Sequence, residues 1–262
     1  MILQGQSDWS AANPALEMYA KIWAGCSDTF RQRVKLCVRS DMSAANYKPL
    51  LRMRPHVLPS ILSPTESEIR AAKLRTESQT DSMIVSFLAG ARPERGASLI
   101  PEIVKLCAPL EIRFLVQLTD PLGAASQLVE AVKALRDRPD VQFHDGTLPR
   151  DQYNDWIAQS LVLLPYDAGL YQSRTSGVYC EAKSFGAPVI VPAGTWMADE
   201  VSRLGNGLVF KDQTAGSIAD CMARAKDDWA GLRARAAACA AEYSRDQGAD
   251  RCVDAVEALF QR

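Results

Sequence analysis

The chain has only two histidines, His56 and His144, too few for a multi-histidine metal site. It has no C-x-x-C pair, and its cysteines number seven, at 26, 37, 107, 180, 221, 239 and 252. An odd, scattered set argues against a disulfide framework or a zinc site and suits a reduced, cytoplasmic setting. No apolar run approaches the roughly 18 residues of a membrane-spanning helix. The opening MILQGQSDW lacks the basic-then-apolar order of a signal peptide. There is no Asp-x-Asp cluster, no G-x-G-x-x-G fingerprint and no Walker loop. Positive charge is not in excess either: the formal net charge is −1, which gives no support to a nucleic-acid binder acting through bulk charge. The basic residues Arg31, Arg33, Lys35, Arg39, Lys48, Arg52 and Arg54 do gather early. They read as a solvated surface, or as a patch facing phosphates or an anionic membrane to which the protein is peripheral.

What is present is ordinary globular material. The chain has 262 residues, 47% apolar and 23% charged, enough for one large domain or two modest ones. Helix-like spacing runs from Asn13 to Cys26. Val34–Val38 is a short apolar strand candidate. Ala44–Leu51 reads as a helix capped by Asp41 or Ser43, and Val57 and Leu58 run into Pro59. Residues 63–81 are polar and mark a linker, with a surface helix around Ser67–Lys73. From Ser82 the rhythm is regular. Strands are expected at Met83–Leu88, Ile112–Leu118, Val141–Phe143, Leu161–Leu164, Val189–Val191 and Leu208–Phe210. Helices are expected between them, and the tail is helical and rich in alanine. Such alternation predicts an α/β fold, a Rossmann-like parallel sheet with helices on both faces. The division is 1–62, a partial α/β segment; 63–81, a linker; and 82–262, the main domain.

The residues with chemical content sit where strands end. Gly90-Ala91-Arg92-Pro93-Glu94-Arg95-Gly96 follows the first strand of the main domain; its glycines admit an anion near the backbone and its arginines suit phosphate oxygens. A strand-to-helix turn with solvated arginines would look the same. Tyr166–Arg174 is expected to be a loop, followed by a helix from Ser176 with Ser173, Thr175 and Ser176 as candidate caps. The free N–H groups of Ser176, Gly177 and Val178 would then face the crevice at the sheet's carboxyl edge, where open α/β sheets bind nucleotides. Glu181 lies one turn on, about 6 Å along the helix, where it either accepts both hydroxyls of a ribose or is a plain solvated glutamate. Trp196, in the loop Pro192–Trp196, either covers a sugar ring or packs on the next helix. His144-Asp145-Gly146 either offers backbone to a base edge or is an Asp-Gly turn. Each signal alone is modest; their shared edge is the stronger observation.

In this order the residues resemble the C-terminal, donor-binding half of a GT-B fold glycosyltransferase of the group 1, family 4 type. The resemblance runs over roughly Ser82–Ala225, through Ile84–Gly96, Val141–Gly146, Leu161–Pro165, Ser176–Ile190 and Asn206–Val209. It implies a hexosyltransferase-type enzyme of polysaccharide biosynthesis. Such an enzyme moves a sugar, with retention, from a nucleotide-diphosphate donor to a hydroxyl acceptor: a glycan, a lipid-linked group or a small molecule. No metal and no other cofactor is implied. Arg92 and Arg95 would hold the diphosphate as catalytic groups. Gly90, His144, Gly146, Tyr166, Ser173, Arg174, Thr175, Ser176, Gly177, Val178 and Glu181 would line the donor site. Glu181 matches the second glutamate of the family's E-x7-E motif, the one that binds ribose. The first glutamate, which contacts the donor sugar, falls at Ser173, and Arg174, Tyr166 or Asp167 are the candidates to substitute for it.

The segment before Ser82 resembles the last third of the family's acceptor domain, with His56–Pro59 entering the linker. It is shorter than the roughly 150 residues of a typical domain. It therefore reads as a short form, a truncated one, or one completed by a homodimer or partner chain. A non-catalytic interaction or nucleotide-binding module derived from such an enzyme is the alternative. A sugar epimerase of similar fold would need carboxylates and a histidine that the sequence scarcely offers.

Overall fold

The computed structural model describes residues 14–59, 64–77, 82–90, 92–119, 126–246 and 248–261. Near the start, β1 (Cys37–Val38) and β2 (His56–Val57) pair in parallel beside α1 (Pro14–Gly25), α2 (Asp28–Arg33) and α3 (Asp41–Leu51). Trp23, Leu36, Val38, Ala44, Tyr47 and Leu51 form a small core of their own there. The strand is shorter than Val34–Val38, because α2 and its exit occupy the preceding residues. The cap of α3 is Ser40, neither Asp41 nor Ser43: the Ser40 hydroxyl accepts the Ser43 N–H at 3.1 Å. Both expected caps lie inside the helix. α4 (Glu66–Thr76), within the stretch read as linker, starts in a reciprocal Thr65–Glu68 capping box.

Six parallel strands make the main sheet: β3 (Ile84–Gly90), β4 (Arg113–Thr119), β5 (Val141–Asp145), β6 (Leu161–Leu163), β7 (Val189–Pro192) and β8 (Gly207–Phe210). Their spatial order is β5-β4-β3-β6-β7-β8, the doubly wound arrangement. Alternate β3 side chains go to opposite faces: Val85 and Phe87 to one core, Ile84 and Leu88 to the other. α5 (Ile100–Leu106), α6 (Ser126–Lys133) and α11 (Ala215–Asp227) cover the first face. α4, α7 (Arg150–Gln159), α9 (Gly177–Phe185) and α10 (Trp196–Leu204) cover the second. A four-residue helix, α8 (Ala168–Tyr171), interrupts the stretch expected to be loop, because Asp167 caps it by accepting the Leu170 N–H at 2.9 Å. α12 (Trp229–Asp246) and α13 (Ala249–Phe260) close the chain, and α13 leaves Val253, Val256 and Phe260 exposed. All seven cysteines are free, and no helix among the described residues is long and apolar enough to cross a membrane.

One buried ion pair fixes α9. The Lys183 side chain is 6% exposed and donates to Glu200 of α10 at 2.8 Å. Its ammonium also lies 4.2 Å from the ring centre of Tyr243 on α12. Burial pushes the Glu200 carboxyl up. The Lys183 hydrogen bond, with the charges of Lys183 and Arg203, outweighs that and holds it below the usual glutamate range. A depressed carboxyl contributes stability above its unfolded value and loses it as pH falls through the folded one. Glu200→Gln should cost about 3 kcal/mol at neutral pH, a fall in Tm of roughly 6–12 °C, because Lys183 is left buried without its counter-charge. Thermal scans should show the deficit narrowing as the pH drops below the ordinary glutamate range. A deficit independent of pH would contradict this assignment.

Candidate functional site

The sheet reverses its winding between β3 and β6, so the segments leaving these strands diverge and open a crevice at their carboxyl ends. The two segments are locked together at its base. Asp167 N–H donates to Glu94 O at 2.9 Å. Gly96, with φ +70°, lies so close to Pro165 that a Cβ there would collide with the Pro165 carbonyl. Only glycine satisfies both the left-handed backbone and this approach.

Around this point the expected residues fall as follows. Gly90 ends β3, and a Cβ there would lie 3.9 Å from the Arg95 guanidinium, which crosses the strand end. Ala91 lies outside the described residues. Arg92 is exposed and only 4.0 Å from Glu94, a loose pair that leaves its fork toward solvent. Arg95 is half-buried beside Tyr166 and Tyr171, and its Nε–H is buried without a partner. Tyr166 is buried and packs on Tyr171 with ring centres 4.4 Å apart; burial raises its hydroxyl to about 12, so it stays a neutral donor. The Arg174 guanidinium carbon lies 5.1 Å from the centre of the Tyr171 ring. Two arginines thus lie beside one tyrosine pair.

Ser176 caps α9, accepting the Tyr179 N–H at 3.2 Å, while its carbonyl takes the Cys180 N–H at 3.1 Å. The N–H groups of Gly177 and Val178 have no acceptor within the helix. Nothing crowds the missing side chain of Gly177. Thr175 is half-buried beside them. Ser173 is fully buried: its carbonyl accepts the Ser43 hydroxyl of α3 at 3.0 Å, and its own hydroxyl has no partner. Ser173, where the resemblance implies a glutamate, is therefore tied to the N-terminal segment.

The Glu181 side chain is 17% exposed and not a plain solvated glutamate. Its Oε2 accepts the Tyr153 hydroxyl at 2.6 Å and its Oε1 accepts Arg150 at 3.2 Å. Arg150 in turn donates to Glu68 of α4 at 3.2 Å. Glu68 is held down to about 2, chiefly by the Thr65 backbone N–H, then by the Thr65 hydroxyl and Arg150. Arg150, Tyr153, Tyr171 and Ser43 carry no motif, and Glu68 is legible only as the end of a T-x-x-E capping pattern; Arg150 and Tyr153 are visible in the sequence only as neighbours one turn apart.

Gly146, with φ +101°, spends its N–H on Leu118 O at 2.9 Å and accepts Gln117 Nε2 at 3.1 Å. Its N–H is closed to a ligand and its carbonyl keeps one lone pair. His144 is the penultimate residue of β5 and meets Trp156 edge-on at 6.5 Å. Trp196 is the first residue of α10 instead of lying in a loop; Thr195 caps that helix, and the indole packs on Tyr179 of α9 at 5.3 Å.

No family model matches the sequence, and no curated protein matches it either. Solved structures do. WaaG, a glycosyltransferase of lipopolysaccharide biosynthesis, matches with TM-score 0.62 and 15% identity over 86% of this chain and 62% of its own. Sucrose-phosphate synthase from Thermosynechococcus elongatus gives 0.72 and 15%, over 99% of this chain and 66% of its own. The six-stranded sheet and its helices have the fold of a GT-B glycosyltransferase domain. HepE from Anabaena, solved in complex with UDP-glucose, gives 0.69 and 14%, over 99% of this chain and 71% of its own. The chain thus spans about two thirds of the length of these GT-B proteins.

Gly96→Ala places a methyl against backbone in a left-handed conformation, which costs about 1–3 kcal/mol. Its Tm should fall by several degrees, with faster amide exchange in residues 92–99 and 165–171. A variant with unchanged melting and exchange would show that the two segments are not locked here.

Proposed function

We propose that the crevice between β3 and β6 binds a nucleotide-diphosphate sugar, and that the chain is the donor-binding part of a glycosyltransferase acting on a hydroxyl acceptor. The observation that carries this is a convergence. Arg95 with an unpartnered Nε–H, the open N-terminus of α9 and the half-buried carboxylate of Glu181 all belong to one sheet edge. Arg92, Arg95 and the N–H groups of Gly177 and Val178 would take the diphosphate and stabilise the charge that develops as it leaves. Arg174, 5.1 Å from the Tyr171 ring, would share that role. Glu181 would take the ribose, and the carbonyl of Gly146 with the edge of His144 would meet the base. Residues 1–62 would supply part of the acceptor side, 63–81 the join and 82–262 the donor domain. HepE, of the same fold, is described with UDP-glucose, which fits a donor of this class.

A second reading rests on Ser173. With no carboxylate at that position, and Ser43 closing over it, the chain would bind nucleotide without transferring sugar.

Calorimetry with UDP, GDP and UDP-glucose tests the proposal. At least one should bind, and Arg95→Ala should weaken it roughly tenfold or more, the loss of a charge-assisted bond. No binding by the intact chain would end the proposal. Binding with no release of nucleotide or sugar from any donor would favour the second reading.

A further inference from the structure

The Glu181 carboxylate is gripped evenly. Tyr153 donates to one oxygen and Arg150 to the other, so each oxygen has one protein partner. An ionised carboxylate offers about four lone-pair positions, two on each oxygen. One therefore stays open on each. Two adjacent acceptors on a single carboxylate match a vicinal diol, whose hydroxyls are two donors side by side.

We propose that Tyr153 and Arg150 are positioning residues that hold the Glu181 carboxylate so that each oxygen presents one open acceptor to the vicinal diol of a ribose. This rests on the reading of Glu181 as the ribose acceptor. A glutamate on a helix surface has several rotamers, and only a fixed one can meet two hydroxyls at once. Tyr153 supplies a short, charge-assisted bond, 2.6 Å long. Burial first, and then the negative charge of Glu181, push its hydroxyl far above the usual tyrosine range, so the proton stays on Tyr153 and the donor role is permanent. Arg150 is steadied from three sides: by Glu181, by Glu68 at 3.2 Å, and by the Tyr153 ring 5.9 Å from its guanidinium carbon. Glu68 is itself fixed in the capping box of α4. Trp156 and Ile157, both buried, anchor α7 beneath the pair.

The test is calorimetric titration of the full chain with UDP and with 2′-deoxyUDP. The readout is the ratio of their dissociation constants, since removing one hydroxyl samples the diol contact alone. The unsubstituted chain should prefer UDP by roughly tenfold, the worth of one hydrogen bond to a charged group. Glu181→Gln should bring the ratio close to one. Tyr153→Phe, which keeps the packed ring, should weaken UDP more than 2′-deoxyUDP and lower the ratio several-fold. Arg150→Gln, at a half-exposed position, should act in the same direction. A ratio untouched by both Tyr153→Phe and Arg150→Gln, but lost in Glu181→Gln, would overturn this inference and leave the ribose reading standing. Equal weakening of both ligands in the Tyr153 and Arg150 variants would also overturn it, because a merely structural role acts on both alike. A ratio unchanged in Glu181→Gln would overturn the ribose reading and the inference with it.

Discussion

The sheet can wind in only one direction on each side of β3 and β6, because crossovers between parallel strands are right-handed. The helix that follows β3 therefore leaves toward one face, and α8 and α9 after β6 leave toward the other. The backbone must come very close at the point of divergence, and Gly96 against Pro165 is where it does so. That single approach sets the depth of the crevice, the direction of the Arg92–Arg95 turn and the start of the path to α9. The other features of the site hang on it. The Arg95 guanidinium comes to the end of β3 at Gly90, beside Tyr166 and Tyr171.

α9 is the second fixed body. Its open end faces the crevice, and its far end is bolted by Lys183 to Glu200 of α10 and to the Tyr243 ring of α12. Its flank is held by Tyr153 and Arg150 of α7 through Glu181. A helix restrained at its far end and along one side can present N–H groups and a carboxylate with little reorganisation, which is what anion and diol recognition require. On the proposed reading, this preorganisation is directed at a nucleotide diphosphate. The N-terminal segment enters the same frame through Ser43, which caps the carbonyl of buried Ser173. Any ligand group bound beside Arg174 would thus meet a wall built from both parts of the chain.

Much of this was legible in the amino-acid order. Val-, Ile- and Leu-rich runs that end in or are followed by Gly90, Pro165 and Pro192 mark the central strands β3, β6 and β7, because a doubly covered parallel sheet has no polar face to obscure them. Ser176 and Gly186 bracket α9 by ordinary capping chemistry. Local features that rest on a single hydrogen bond were less visible. α8 is too short to show periodicity, and the competition among Ser40, Asp41 and Ser43 for one cap is decided by backbone conformation. Trp196 belongs to α10 because Thr195 wins the cap one residue earlier. The Tyr153–Arg150–Glu181 unit was illegible for another reason. It joins residues some thirty positions apart, and it depends on the rotation of α7 about its own axis, which no local spacing encodes.

The central claim is that the divergence point between β3 and β6 is a nucleotide-diphosphate site made from the Arg92–Gly96 turn and the N-terminus of α9. Backbone amide NMR during titration with UDP tests it most directly. The account predicts that Gly177 and Val178, whose N–H groups lack helical acceptors, shift first and furthest, together with Arg95 and Gly96. Saturating shifts confined to other surfaces, with these amides unmoved, would contradict it.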